Sequence, residues 1–150
     1  MYISESDPTR SLAVWVFGSA TAPEWEHHFE ELREVATWSE KTGCRAAALL
    51  INKTFDMPAA ELRAKLTEHT ALPGYDPYVA FVAANRTMMT VLTLFSWFQK
   101  RPRYEIQFVS SVEAGIVWLE HKRGEKLPVL RALAKTAERR AAEGGGRAAG

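Results

Sequence analysis

The chain has 150 residues, of which 47% are hydrophobic and 25% charged, a formal net charge of +1 and one cysteine. That is the length of one ordinary domain, able to bury roughly 70% of the surface its unfolded chain exposes, and the composition excludes an intrinsically disordered chain. The near-zero charge excludes a global field for nucleic acid, and the single Cys44 excludes an intrachain disulfide.

The start, MYISESDPTR, is polar and acidic and carries no signal-peptide core. No apolar run approaches the ~20 residues needed to span a bilayer. The expectation is a cytoplasmic protein without a membrane span. Residues 101–150 hold ten Lys/Arg against six Asp/Glu. This mild late basic excess reads as a solvated face.

Tyr2 and Ile3 begin a short edge strand that Asp7-Pro8 breaks. Ser11–Phe17 is a continuous β-favouring run, the pattern of a strand covered on both faces. Thr21, Pro23 and Glu24 form a helix start, with Glu three residues after the cap. The helix runs to about Thr42, buries a stripe of Trp25, Phe29, Leu32 and Ala36, and stops at Gly43. Arg45–Ile51 is a second buried strand and Pro58–Thr70 a second helix, for which Asp56 is the simplest cap. Tyr78–Val82 is a third strand. It leads through Asn85-Arg86-Thr87 into MMTVLTLFSWF (88–98), the most apolar stretch of the chain.

Tyr104–Val109 alternates like an edge strand. Ser110 to Glu113 reads as a second capping box, opening a helix that Gly124 ends. Leu127–Ala142 is a weakly amphipathic last helix with Leu127, Leu130, Leu133, Ala134 and Ala137 on one side. The pattern predicts one α/β domain over residues 1–142, with a four- or five-stranded mainly parallel sheet, right-handed crossovers and helices packed on the sheet. The Gly-rich end, 143–150, reads as a flexible tail.

Ligands of open α/β sheets bind beyond the carboxyl ends of the strands. Those ends are polar here: Gly18-Ser19, Asn52-Lys53-Thr54, Asn85-Arg86-Thr87 and Ser110-Ser111. Lys53, Asn85, Arg86, Ser110 and Ser111 are therefore candidates for an anion-accepting rim at helix N-termini, although helix capping alone accounts for most of them. Catalytic signals are thin. No Gly-rich phosphate loop or nucleophile elbow occurs, so no catalytic residue and no cofactor is expected. His27 and Glu31 share an i, i+4 spacing, but two ligands make no metal site, and the His27-His28 pair reads as an exposed polar helix face. Cys44 reads as a small buried filler. Trp15 and Trp118 read as core.

The order of elements resembles the STAS-like fold of the SpoIIAA-like superfamily, which includes anti-sigma factor antagonists and small stand-alone bacterial STAS/SEC14-type proteins. RYEIQFVSSVEAGIVWLEHKRG (103–124) is similar to that family's last strand, turn and helix through Phe108, Ser110 or Ser111, Glu113, Ala114 and Trp118-Leu119. The resemblance implies a mixed sheet with an N-terminal antiparallel strand, helices mainly on one side, and a binding or regulatory role without catalysis. The family's phosphorylatable Ser has no counterpart, because Asp56-Met57-Pro58 stands in its place.

Two functions follow as expectations. One is a non-enzymatic regulatory module that forms a homodimer or binds a protein partner through Met88, Leu92, Phe95, Trp97 and Phe98, since apolar and aromatic patches mark interfaces. The other is a carrier of a small-molecule or lipid-like ligand, its apolar part near the same helix and an anionic head at Arg86.

Overall fold

The structure is a computed structural model and describes residues 1–54, 58–83, 85–90 and 102–148. Five strands, β1 (Tyr2–Ser6), β2 (Leu12–Phe17), β3 (Ala47–Asn52), β4 (Tyr78–Val82) and β5 (Glu105–Val109), form one sheet in sequential order. β1 pairs antiparallel with β2, and every other pair is parallel. The helices are α1 (Ala22–Thr42), α2 (Ala60–Thr70), α3 (described over 86–90), α4 (Val112–Arg123) and α5 (Pro128–Ala148). No helix among the described residues is long and apolar enough to cross a membrane.

The crossovers from β2 to β3 and from β3 to β4 step in the same direction. Right-handed connections of that kind place α1 and α2 on one face of the sheet. The chain after β5 has no further strand to reach, and α4 and α5 cover the opposite face. Helices thus lie on both faces, not mainly on one. The mixed sheet with its antiparallel N-terminal strand is as expected.

Alternation along the strands feeds two cores. Val14, Val16, Leu49, Ile51 and Ala80 pack under α4 and α5 with Ile116, Leu119 and Leu130. Trp15, Phe17, Ala48 and Val79 pack under α1 with Phe29, Leu32 and Val35. On the first face Gly115 lets α4 approach closely. A Cβ there would lie 2.8 Å from Leu49 Cδ1 and 3.3 Å from both Ala80 Cβ and Val109 Cγ2. Glu120 fastens α4 to α5, accepting from Leu127 N and from Arg131, both at 2.8 Å.

The first helix has the expected capping box at Thr21 and Glu24 and the left-handed Gly43 stop. The second box does not form; a single cap stands there instead. Ser111, not Ser110, caps α4 by accepting from Ala114 N, and Glu113 turns instead to Arg131 at 2.7 Å. Cys44 is exposed, not buried, because it lies in the turn between Gly43 and the start of β3. α5 continues through 143–148, where the tail was expected. No proline interrupts it there, and each glycine costs a helix only about 1 kcal/mol.

Candidate functional site

Between the sheet and the layer of α1 and α2 lies a cavity of about 400 Å3. Its floor comes from Trp15, Phe17, Leu50, Phe81 and Phe108. Consecutive inward positions of neighbouring strands stand side by side, as with Phe81 and Phe108, whose rings are 5.5 Å apart. α1 contributes Trp25, His28 and Leu32 to the walls, and α2 contributes Leu62, Arg63 and Leu66. No residue of α2 is fully buried, so its apolar side borders open space instead of a sealed core. The cavity reaches the surface past exposed Ser19, Thr54 and Ala59, at the carboxyl ends of β2 and β3. About 400 Å3 lies within the range of small-molecule sites.

Several polar residues interrupt the apolar lining, and Trp15 and His28 are the most deeply buried of them. Trp15 is 1% exposed, and its Nε1–H is buried without an acceptor. Buried donors in native proteins almost always find a partner. The His28 ring stands edge-on to Trp15, with centroids 4.9 Å apart, and against Phe17 at the same distance. His28 is itself buried, contrary to the expected exposed face. Burial, with His27 and His69 nearby, pushes its pKa down to about 3, so the ring is neutral at pH 7.

Behind His28 a polar cluster joins α1 to β1. His28 Nδ1 is 3.0 Å from the Tyr2 hydroxyl, which donates to the buried Glu31 carboxylate. Ser4 also donates to Glu31, and Arg10 approaches it at 3.6 Å. Arg10 holds a left-handed backbone (φ 62) in the turn between β1 and β2, with its guanidinium 2.6 Å from Glu34. Burial first, then Glu31, raises the Tyr2 pKa far above the usual phenol range. Tyr2 therefore stays a hydroxyl, and its one proton goes to the carboxylate, the stronger acceptor. The contact with His28 then requires the imidazole proton on Nδ1. That leaves Nε2 as an acceptor, without a partner among the described residues.

The expected rim residues lie along one sheet edge, because Ile51, Val82 and Val109 are successive register partners. They do not converge on one point. Lys53 is 3.9 Å from Glu138, Asn85 Oδ1 accepts from Met88 N, Ser111 caps α4, and Arg86 and Ser110 are exposed. None of the five lines the cavity, and the cation among its described lining residues is Arg63. Their neighbours Gly18, Ser19, Asn52 and Thr54 do line it. Met88 is 1% exposed and also faces the cavity. Leu92, Phe95, Trp97, Phe98 and Asp56 lie outside the described residues. His27 Nε2 is 3.8 Å from Glu31, and no group of three metal-ligating side chains occurs among the described residues.

No family model, curated protein or solved structure matches this chain.

Proposed function

We propose that the protein is a non-enzymatic binding module whose cavity takes up a small, largely apolar molecule. The observation that carries this reading is the cavity itself: about 400 Å3, floored by strand aromatics, walled by α1 and α2, and reaching the surface at the strand ends. A packing defect of that size would be anomalous in a domain whose other sheet face closes around a glycine. The resemblance to the STAS/SEC14-type proteins points the same way, towards binding without catalysis. Ligand occupancy is the signal such a module would pass on, and the buried Met88 links the cavity to the segment leading into residues 91–98.

Native mass spectrometry of the purified protein is the test. The expected spectrum contains a species heavier than the chain by one small molecule, and the extra mass is absent from Leu66→Phe, which narrows the cavity. A spectrum of bare chain that stays bare after incubation with N-phenyl-1-naphthylamine would overturn the reading.

A further inference from the structure

The side that α2 turns to the cavity is uncharged except at one position. Ala59, Leu62, Arg63, Leu66 and Thr70 line the cavity, and their spacing of three and four puts them on one side of the helix. Glu61, Lys65 and Glu68 of the same helix do not line it, and Lys65 is taken by Glu26 of α1 at 2.9 Å. Arg63 is half-buried and has no ion-pair partner among the described residues. No Asp or Glu is among the described lining residues, and His28 is neutral, so the charge of Arg63 is unopposed across the lining. Arg63 follows Ala59, at the mouth, by about 6 Å along the helix axis. A side chain of that length can set its guanidinium at the opening while its methylenes pack on the apolar wall.

We propose that the ligand is an amphiphilic monocarboxylate, whose apolar body fills the cavity and whose carboxylate pairs with Arg63 at the mouth. This rests on the ligand-binding reading above. The guanidinium fork matches a carboxylate through two parallel N–H···O bonds. One cation balances one negative charge, so a phosphate monoester, which carries nearly two at pH 7, leaves the excess unmet. A neutral apolar molecule gains nothing from Arg63, and an ammonium is repelled by it. Arg63 takes the part that the sequence suggested for Arg86, because Arg86 does not line the cavity.

Three probes of one shape separate charge from apolar contact: 2-naphthoate, 2-naphthylmethanol and 2-naphthylmethylammonium, titrated calorimetrically into the full chain at pH 7. Wild type is expected to bind naphthoate about tenfold more tightly than the alcohol, the factor of a charge-assisted pair partly open to water, with the ammonium weakest. Arg63→Gln keeps most of the stem and removes the charge, and is expected to bind naphthoate no more tightly than the alcohol. Leu66→Phe is expected to lose naphthoate and alcohol together, since head and body share one site. Equal affinity for naphthoate and alcohol in wild type, a naphthoate preference surviving in Arg63→Gln, or naphthoate binding that persists in Leu66→Phe while that of the alcohol is lost would overturn the carboxylate assignment while leaving the binding module standing. Failure of all three probes to bind wild type would instead remove the binding reading, and this inference with it.

Discussion

The sheet face beneath α4 and α5 is closed with small residues at short range, whereas the face beneath α1 and α2 is filled with large rings and still encloses about 400 Å3. Both faces are read from the same strands, often from adjacent residues. Val14 and Val16 serve the first, Trp15 and Phe17 the second. The difference lies in what covers them. α4 settles onto the sheet because Gly115 removes the side chain that would hold it away. Trp25, Phe29 and Leu32 stand between α1 and the strands, and α2 meets this face only through partly buried leucines. Close packing stabilises, while separation by aromatic spacers leaves room for a guest. On the proposed reading, the first face serves stability and the second takes the ligand.

Truncations give the largest contrast. Leu49 is fully buried on the packed face, and Leu49→Ala is expected to cost about 3 kcal/mol in urea unfolding. Leu66→Ala, at the cavity wall, is expected to cost about 1 kcal/mol, since little new void is made. Equal losses would mean that the faces are packed alike.

Enlargement comes next and should differ in sign. Gly115→Val is expected to destabilise by about 2 kcal/mol, because its Cβ alone would lie 2.8 Å from Leu49 Cδ1. Leu66→Phe is expected to be neutral or to raise the melting temperature of the ligand-free protein, since it enters existing space. Comparable destabilisation by both would argue against a cavity of this size.

A smaller effect concerns the cavity face alone. His28 stays neutral when folded, with its pKa near 3, but takes up a proton below about pH 6.5 when unfolded. The unfolded chain therefore binds more protons between those values, and stability that is complete above pH 6.5 is lost as pH falls towards 3. By pH 5.5 this amounts to about 1 kcal/mol. Denaturation of wild type and His28→Phe across pH 7.5 to 5.5 measures it by difference. Parallel curves would show a histidine that protonates freely in the fold.

Most of the architecture was legible because it is local. The capping box at Thr21, the stops at Gly43 and Gly124, and the alternation that marks β5 as an edge all depend on neighbouring residues. The strand-end rule drew attention to the edge where the cavity opens, and Asn52 and Thr54 line it, but the cations beside them face elsewhere. His28 was the legible residue that was missed. It stands three residues after Trp25 and four before Leu32, squarely on the buried stripe, yet its pairing with His27 made it read as polar surface. Its partner Tyr2 comes from an edge strand distant in sequence, and the cavity is the volume left between layers. Neither carries a periodic signature.

The most direct test is a fluorescence titration of N-phenyl-1-naphthylamine into wild type and Leu66→Phe, with Val117→Ala, at an exposed position of α4 on the opposite face, as a control. Saturable binding of one probe per chain, lost in Leu66→Phe and kept in Val117→Ala, is the predicted result. Absence of saturable binding in wild type, or equal binding after the cavity has been narrowed, would contradict the assignment of this face to a ligand.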